Sequence, residues 1–295
     1  MNREIERKFF FDSNQPLGKP TRSQALEQGY LPGTGEWEIR LRRSGTDHRY
    51  TMKTGTGLDR GEWEIRVSPE DFETLWSRTQ GQRIVKVREK YTWKGHTVEV
   101  DRYAAGLEGL TVAEVEFSGL DAARSFTLPK AFGPELTYDP RFKNRALAGE
   151  TSSVPRVMPT ARAEGWSFGV LPFRKGPKGW EMVIVSTRRQ DRWIFPKGQP
   201  EPGLTPEKVA LAEAREEAGI SGRPAGHPIV LPYVRETGTT NLLLFPVLVT
   251  GLADRWLELG QRDRKVVTLP EAGAHGDLIR WGAQWVQDFK GTVGS

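Results

Sequence analysis

Three glutamates in the C-terminal half of the chain have the residue type and the spacing to bind a metal cation. Glu213, Glu216 and Glu217 lie three and four residues apart, so a helix over 206–218 would place all three carboxylates on one face. Neighbouring like charges repel, and one explanation is an acidic face in water. The other is a cation site, because clustered carboxylates can accept a polyanionic phosphate substrate only through a hard ion such as Mg²⁺.

The residues around these glutamates predict that the helix follows a strand and a turn. Thr205 is a good N-cap, Pro206 suits the first helical position, and Gly219 supplies a C-terminal stop. Before them, the strand-like run 193–195 enters a turn at 196–198. A loop then joins the turn to the helix, so strand, loop and acidic helix are predicted to follow one another directly.

This arrangement resembles the Nudix box, a motif with fixed glycine and glutamate positions. The positions in register are Gly198, Glu213, Glu216, Glu217, Gly219 and Ile220. Two positions depart from the motif, because Leu204 stands where it has glutamate and Ala212 where it has arginine. In the family those two side chains form a supporting salt bridge, so their joint loss leaves no unpaired charge.

The resemblance implies an α/β/α Nudix sandwich over 162–295 that cleaves a substituted diphosphate or polyphosphate with Mg²⁺ (or Mn²⁺). In the family the glutamates of the box ligate the metal and one of them acts as base. The predicted catalytic and metal-binding residues are therefore Glu213, Glu216 and Glu217. Arg188 and Arg192 are predicted to bind phosphate, because the run 186–198 is similar to the branch acting on diphosphoinositol polyphosphates and diadenosine polyphosphates.

Hydrophobic patterns predict the other elements of this half. Strands are predicted at 166–173, 182–187 and 241–249. A helix is predicted at 277–290. Its apolar side would carry Leu278, Trp281, Trp285 and Phe289, with the tryptophan pair in the core.

Composition limits the class of protein. The 295 residues, 37% of them hydrophobic, suffice for two folded domains. The chain has no cysteine, which excludes disulfides and thiolate chemistry, and its four histidines are too scattered for a zinc cluster. No apolar run approaches the ~18 residues of a membrane span and no secretory signal opens the chain, so a cytoplasmic protein is expected. A formal net charge of +5 without long blocks of one sign suits small polyanions better than nucleic acid.

Residues 1–149 alternate charged and mostly apolar side chains over several short segments. Glu4, Glu6 and Lys8 show the pattern in the first segment, and later segments repeat it. For any single strand, a charged face in water is the simpler explanation. When six or seven strands share the pattern, a closed antiparallel barrel could instead turn the charges inward to line a hydrated tunnel.

The ordered series of these segments resembles the CYTH family, the triphosphate tunnel metalloenzymes. The ExExK signature of that family is matched by Glu4-Ile5-Glu6-Arg7-Lys8. Its basic and acidic strand motifs are matched by Arg40-Leu41-Arg42, Thr51-Met52-Lys53, Glu62-Trp63-Glu64, Glu99-Val100-Asp101 and Glu114-Val115-Glu116. On a further strand the family has lysine, any residue and arginine, and Arg88-Glu89-Lys90 reverses that order.

The resemblance implies an antiparallel β-barrel tunnel that acts on a linear triphosphate. A triphosphate carries about four negative charges, so it needs several cations and a metal that joins its oxygens to protein carboxylates. The predicted phosphate-binding residues are Lys8, Arg40, Arg42, Lys53, Arg88 and Lys90. The predicted metal ligands are Glu4, Glu6, Glu114 and Glu116, and Glu62, Glu64, Glu99 and Asp101 are further metal or water-positioning candidates. Short members of the family commonly hydrolyse inorganic tripolyphosphate, and an inorganic triphosphatase-like activity is the prediction here. Hydrolysis of thiamine triphosphate and cyclisation of ATP are the alternatives.

Residues 150–161 are predicted as a linker, because two prolines and small polar residues interrupt both patterns. The chain is therefore predicted to be an α+β protein of two domains, a CYTH barrel over 1–149 and a Nudix sandwich over 162–295, each a metal-dependent phosphohydrolase. Its predicted partners are small polyanionic substrates, namely tripolyphosphate and nucleoside or inositol polyphosphates. In the competing hypothesis, one domain is a non-catalytic sensor of nucleotides or polyphosphates that regulates the other.

Overall fold

A computed structural model of the chain describes residues 2–15, 17–32, 37–55, 59–149, 154–159, 164–235 and 238–291. The chain divides into two compact units, Met1–Met158 and Pro159–Ser295, and their boundary falls within the segment 150–161. The predicted extents of the domains and of the linker stay predictions. Within the described ranges, no helix is long and apolar enough to cross a membrane.

The N-terminal unit is built mainly from strands. They are β1 Asn2–Phe11, β2 Arg22–Tyr30, β3 Glu38–Ser44, β4 Asp47–Thr54, β5 Asp59–Arg66, β6 Arg83–Trp93, β7 His96–Ala104, β8 Thr111–Phe117 and β9 Phe132–Glu135. The helices are α1 Pro69–Trp76, α2 Leu120–Ser125 and α3 Asn144–Leu147, with 3-10 turns at Ser77–Thr79 and Pro140–Phe142.

All strand pairs in this unit are antiparallel. β1 pairs with β5, β8 and β9, and β2 pairs with β3 and β6. The remaining pairs join strands consecutive in sequence: β3–β4, β4–β5, β6–β7 and β7–β8. The predicted α+β class is confirmed, and the closed barrel stays a prediction.

The registers place opposite charges across from each other on one side of this sheet. Lys53 of β4 lies opposite Glu62 of β5, and Arg88 of β6 lies opposite Asp101 of β7. Side chains two residues apart on a strand share a face, so the alternation in the sequence gives one charged and one largely apolar face. Cross-strand pairs of opposite charge are themselves favourable.

The charged residue Arg7 lies on the largely apolar face of β1. Arg7 is buried and donates two hydrogen bonds to the carboxylate of Glu135, at 2.9 and 2.8 Å, and one to the backbone oxygen of Ala123 at 2.9 Å. This bidentate ion pair fastens β1 to β9 and α2. The neighbouring residues Glu6 and Lys8 consequently lie on the opposite face of β1.

The C-terminal unit contains parallel and antiparallel strand pairs and two long helices. Its strands are β10 Trp166–Gly176, β11 Gly179–Ser186, β12 Trp193–Ile194, β13 Lys197–Gly198, β14 Ile220–Pro224, β15 Ile229–Arg235, β16 Gly238–Leu252 and β17 Arg264–Thr268. Its helices are α4 Pro206–Ala218 and α5 Asp277–Phe289, with a 3-10 helix at Leu269–His275. β10 pairs in parallel with β16 and antiparallel with β11 and β13, and β14 and β15 both pair antiparallel with β16 along its other edge. The predicted α/β/α sandwich stays a prediction.

Helix α4 has the predicted bounds. The Thr205 hydroxyl accepts a hydrogen bond from the backbone N–H of Lys208 at 3.3 Å, and Pro206 is the first helical residue. Gly219 ends the helix with φ of 59°, in the left-handed region that favours glycine. Since the local capping signals suffice to start and stop this helix, its position in the sequence was predictable.

Two local predictions in this unit were wrong in detail. Lys197 and Gly198 form a short strand paired with β10 rather than a turn, because a partner distant in sequence supplies their hydrogen bonds. In α5, Trp285 is buried as predicted, but Trp281 is half-buried. The prediction that both tryptophans lie in the core is therefore confirmed for Trp285 alone.

Candidate active sites

The charged faces of the N-terminal strands line a cavity of about 280 Å³. All the predicted phosphate-binding residues of this unit line it: Lys8, Arg40, Arg42, Lys53, Arg88 and Lys90. The predicted metal ligands Glu6, Glu114 and Glu116 line it as well, whereas the side chain of Glu4 lies outside the described residues. Lys8 and Arg40 are each 7% exposed, so these cations are enclosed by the unit rather than dissolved in bulk water.

Glu114 lies between two of these cations. Its carboxylate is 2.7 Å from Nζ of Lys8 and 2.5 Å from a guanidinium nitrogen of Arg88. Burial by itself would raise the pKa of Glu114, but the positive charges of Lys8 and Arg88 outweigh burial and hold that pKa well below its usual range. The Glu114 carboxylate is therefore ionised at neutral pH and has the charge that a metal ligand needs.

Other cations of the cavity also face carboxylates. Arg42 lies 3.1 Å from Glu64, and Lys90 lies 2.6 Å from Glu99. The further candidates that line the cavity are Glu62, Glu64 and Glu99. Because buried charges are tolerated when paired, a phosphate oxygen could replace a carboxylate beside each cation only if the displaced carboxylate gained another cation, such as a bound metal ion, as its partner.

Lys86 and Asp101 have roles that the sequence analysis did not assign. Asp101 is fully buried and pairs with Lys86, at 2.5 Å, and with Arg88, at 2.6 Å. Its predicted role as a metal or water-positioning residue stays a prediction. Lys86 lies two residues before Arg88 on the same face of β6. Lys86-Val87-Arg88 therefore also offers lysine, any residue and arginine on one face of β6. The assignment of the motif to Arg88-Glu89-Lys90, whose Arg88 and Lys90 both line the cavity, stays a prediction.

The segment 136–144, which follows β9, also contributes to this cavity. Nζ of Lys8 donates to the backbone oxygen of Phe142 at 3.2 Å, and Asn144 of α3 lines the cavity. The side-chain oxygen of Asn144 accepts from the hydroxyl of Tyr103 at 2.6 Å. Sequence reasoning missed this segment because its polar residues follow no strand alternation.

In the C-terminal unit, β13 lies against the acidic face of α4. A methyl group at Gly198 would collide with the Glu213 carboxylate in its present position, so the glycine lets that side chain lie directly against β13. Glu217, one turn further along α4, is 2% exposed. Its carboxylate accepts a hydrogen bond from the backbone N–H of Lys197 at 3.0 Å and pairs with Arg262 at 2.5 Å. Two of the three predicted glutamates thus meet the Pro196-to-Gly198 segment.

The acidic face of α4 gathers negative charges, and the side chains of Glu213 and Glu217 are half-buried and buried. Burial raises the pKa of Glu217 to about 7 despite the opposing charge of Arg262. Burial, and then the nearby carboxylates of Glu216 and Glu258, raise the pKa of Glu213. Glu216 itself is exposed.

The donor chemistry in both units fits a hard divalent cation. Carboxylate oxygens are the ligands that Mg²⁺ and Mn²⁺ prefer, and a bound cation would stabilise their ionised forms. In the part of the chain that the structure describes, no three acidic or histidine side chains are gathered closely enough to hold a metal. The predicted ligands of each unit therefore share a cavity or a helix face, but their side chains would have to rotate to surround one ion.

A second cavity, the basic pocket, has a volume of about 380 Å³. Its lining includes Lys197 and Arg262, which both contact the Glu217 carboxylate. Arg188 and Arg192, predicted to bind phosphate, line it. Its described lining also includes Lys197, Arg235 and Arg262, which sequence reasoning missed. These three cations come from β13, the end of β15 and the loop before β17, so no local pattern connects them.

Glu258 joins two of these arginines to α4. Its carboxylate accepts from Arg188 at 2.5 Å and from Arg262 at 2.6 Å, and its backbone N–H donates to the backbone oxygen of Glu216 at 3.0 Å. Burial opposes ionisation, but these arginines lower the pKa of Glu258 below its usual value. Glu258 was missed because it lies in a loop outside the Nudix box.

Comparisons with known proteins assign the N-terminal half. Over 149 residues, 49% of this chain, it is 44% identical to an inorganic triphosphatase of Nitrosomonas europaea and covers 96% of that protein. An inorganic triphosphatase of Acetivibrio thermocellus is 34% identical over 151 residues, which cover 94% of its length. The chain belongs to the CYTH-type inorganic triphosphatase family. A crystal structure of an inorganic triphosphatase is 40% identical, with 51% of this chain and 97% of that one covered and a TM-score of 0.40.

The C-terminal half matches the NUDIX domain over residues 164–287. Diphosphoinositol polyphosphate phosphohydrolase 3-alpha of Mus musculus is 31% identical over 86 residues, which are 29% of this chain and 52% of that protein. A crystal structure of C. elegans Ap4A hydrolase is 19% identical, covering 43% of this chain and 96% of that one, with a TM-score of 0.34. The predicted fusion of a CYTH domain with a Nudix domain is confirmed. The chain is thus a hydrolase acting on phosphoanhydride bonds.

Proposed function

We propose that the chain is a metal-dependent phosphohydrolase with two sites, one for inorganic triphosphate and one for a substituted diphosphate or polyphosphate. The main support for the triphosphate site is the charged cavity, because its predicted phosphate-binding cations and carboxylates share one enclosed space. A linear triphosphate has about four negative charges, which match such a lining. The likeness of the N-terminal half to inorganic triphosphatases supports the same substrate.

In this proposal, β1 to β8 close into a barrel and the cavity is its tunnel. The pairings support closure, because β1 pairs with both β5 and β8, and β4, β3, β2, β6 and β7 connect those two strands in turn. Cations on opposite walls of a tunnel can grip a linear anion from several sides. Lys8 and Arg88, which now pair with Glu114, donate to phosphate oxygens when the substrate enters.

Glu6, Glu114 and Glu116, with Glu4, would hold Mg²⁺ or Mn²⁺ in the tunnel. A bound divalent ion would polarise the phosphoryl oxygens and activate water. The further carboxylates Glu62, Glu64 and Glu99 keep the cations in place and orient that water. The segment 136–144 contributes Asn144 and the carbonyl of Phe142 to one part of the wall.

In the NUDIX domain, the acidic face of α4 and the basic pocket act together. Glu213, Glu216 and Glu217 would hold the divalent ion and supply the base, while Arg188 and Arg192 bind phosphates beside it. The domain is a sandwich in which α4 and α5 cover the sheet. The likeness to a diphosphoinositol polyphosphate phosphohydrolase supports a phosphate-rich substrate of that type or a diadenosine polyphosphate.

A Glu217→Gln variant of the full-length protein tests the second site. It should lower NUDIX turnover by at least ~10²-fold, because it removes an anionic ligand or base while preserving shape. Hydrolysis of tripolyphosphate should be unchanged, and Glu207→Gln on the first turn of α4 is the matched control. A folded Glu217→Gln protein with wild-type rates would show that the assignment is wrong.

A sensor role for the NUDIX domain is the competing proposal, and it is supported by Leu204 and Ala212, the two departures from the box. The same assay separates the two proposals. Metal-dependent turnover that depends on Glu217 would contradict a pure sensor. Binding of polyphosphates or nucleotides without turnover would support it. Thiamine triphosphate and ATP, assayed beside tripolyphosphate, separate the three possible activities of the N-terminal site.

A further inference from the structure

Arg262 lies between two carboxylates of the NUDIX domain. Its guanidinium contacts the Glu217 carboxylate at 2.5 Å and the Glu258 carboxylate at 2.6 Å, and donates to the backbone oxygen of Ser186 at 3.0 Å. The side chain of Arg262 is 10% exposed, so these contacts are made largely out of water. A guanidinium suits this place, because its five N–H groups lie in one plane and can serve several acceptors at once.

Both oxygens of the Glu217 carboxylate are engaged. One pairs with Arg262, and the other accepts from the backbone N–H of Lys197 at 3.0 Å. The Lys197 N–H is part of β13, which its pairing with β10 holds in place. A metal ion and a guanidinium on the same carboxylate oxygen would repel each other. For Glu217 to ligate an ion, the Arg262 side chain is therefore the partner that can rotate away.

This exchange would leave no bare charge in the domain. A buried ion pair that loses one partner is strongly destabilised, because the remaining charge stays buried and unpaired. Here Arg262 would keep its bonds to Glu258 and to the Ser186 carbonyl, while Glu217 would gain the ion. The N–H groups withdrawn from Glu217 could then face the basic pocket, because Arg262 is part of its lining.

We propose that Arg262 is a counter-cation of Glu217 that yields this carboxylate to the divalent ion and then donates its released N–H groups to a phosphate of the substrate. This role rests on the proposed function of the NUDIX domain. It couples the two binding events, because an ion at Glu217 frees Arg262 for phosphate. By linkage, the ion should tighten substrate binding and the substrate should tighten ion binding by the same factor.

Mn²⁺ binding to the full-length protein, followed by electron paramagnetic resonance without substrate, tests the exchange. Glu217→Gln identifies the Mn²⁺ sites of the NUDIX domain, because those sites alone should weaken. In Arg262→Gln the same sites should bind Mn²⁺ about tenfold more tightly, because the ion no longer competes with a guanidinium. Glu258 keeps its contact with Arg188 in this variant, so one carboxylate alone loses its partner.

Two further variants separate the contact from charge in general. Arg262→Lys keeps the positive charge, so its Mn²⁺ affinity should stay closer to wild type than that of Arg262→Gln. Arg189→Gln is the matched control, because it removes one positive charge from the lining of the same pocket. It should change Mn²⁺ affinity by less than about twofold, since charges not in contact are screened by water and salt.

Urea denaturation gives a measurement that does not depend on turnover. Without metal, Arg262→Gln should lower the free energy of unfolding, because the buried Glu217 carboxylate loses its partner. Saturating Mn²⁺ should close most of the gap to wild type, because the ion takes the place of the arginine. A gap of equal size with and without Mn²⁺ would contradict the exchange.

Steady-state kinetics with Mg²⁺ tests the phosphate contact, with diadenosine tetraphosphate and a diphosphoinositol polyphosphate as substrates. Arg262→Gln should raise KM about tenfold or more for the compound that is cleaved, because a charge-assisted hydrogen bond to a phosphate oxygen is lost. Arg223→Gln, at an exposed arginine of β14 outside the pocket lining, is the matched control and should not change KM.

Each alternative result has a distinct meaning. Unchanged or weaker Mn²⁺ binding by folded Arg262→Gln would overturn the inference and leave the proposed NUDIX hydrolase standing. Tighter Mn²⁺ binding with an unchanged KM would also overturn it, because Arg262 would then not reach the phosphate. Failure of the wild type to cleave either compound would overturn the proposed function and the phosphate contact with it, whereas the Mn²⁺ titration would still decide the exchange at Glu217.

Discussion

The close approach of Gly198 to Glu213 makes the position of a predicted metal ligand testable. In a Gly198→Ala variant, the new methyl group would collide with the Glu213 carboxylate. β13 is held at this residue by its pairing with β10, so the Glu213 side chain must rotate away instead. We expect the free energy of unfolding to change little, because the atoms that the methyl group meets are the far end of a flexible side chain that can rotate away. NUDIX turnover should fall by ~10²-fold or more, because a ligand leaves its place.

Urea denaturation, Mn²⁺ titration and a phosphate-release assay separate these effects. Gly251→Ala is the matched control, since a Cβ there meets a single neighbour, Ser221, at an ordinary 3.9 Å. Adding Glu213→Asp to Gly198→Ala shortens the acid by one carbon and should restore part of the Mn²⁺ affinity. If folded Gly198→Ala binds Mn²⁺ and turns over at the wild-type rate, the contact between Gly198 and Glu213 does not hold a metal ligand in place.

Three further predictions concern residues that support the two sites without lining them. Restoring the absent salt bridge with Leu204→Glu and Ala212→Arg should leave NUDIX turnover largely intact, and a gain of ~100-fold would mean that the natural domain is impaired. Arg7→Met should lower the free energy of unfolding by about 3–5 kcal/mol, because the buried Glu135 loses its ion pair. Adding Glu135→Leu should recover most of that loss in urea denaturation, and equal stability of the single and double variants would contradict this. Burial lowers the pKa of Lys86 to about 8, below its value of ~10.5 in an unfolded chain. Between those values the unfolded state binds more protons, so the free energy of unfolding should rise with pH in wild type and not in Lys86→Met; parallel pH curves would be the contrary result.

The features predicted best were those whose causes are local in sequence. Thr205, Pro206 and Gly219 define α4 through caps that involve neighbouring residues alone. The alternation in β1 likewise predicted which side chains share a face, and Lys8 indeed lines the charged cavity. Arg7 was the exception on that strand, because its partner Glu135 is more than a hundred residues away.

The features that were missed depend on contacts between distant segments. Lys197 and Arg235 meet around Tyr233 because β13 pairs with β10 while β15 pairs with β16, and no window of sequence contains both pairings. Glu258 is a loop residue whose two arginine partners identify it in the structure alone. Lys86 is a different case, because it lies two residues before Arg88 and follows the alternation of β6, so its place on the charged face was predictable from the sequence.

Two separate sites are proposed to hydrolyse different substrates in one chain. Their predicted ligands come from residues 4–116 and 213–217, and neither set includes a residue of the other. The most direct measurement assays full-length Lys8→Ala and Glu217→Gln on tripolyphosphate and on the NUDIX substrate, with folding checked by circular dichroism. Lys8→Ala should abolish hydrolysis of tripolyphosphate alone by removing a phosphate contact, and Glu217→Gln should abolish the second activity alone by removing metal function. If either folded variant lost both activities, the sites would be coupled or shared, and the account of two independent enzymes would be contradicted.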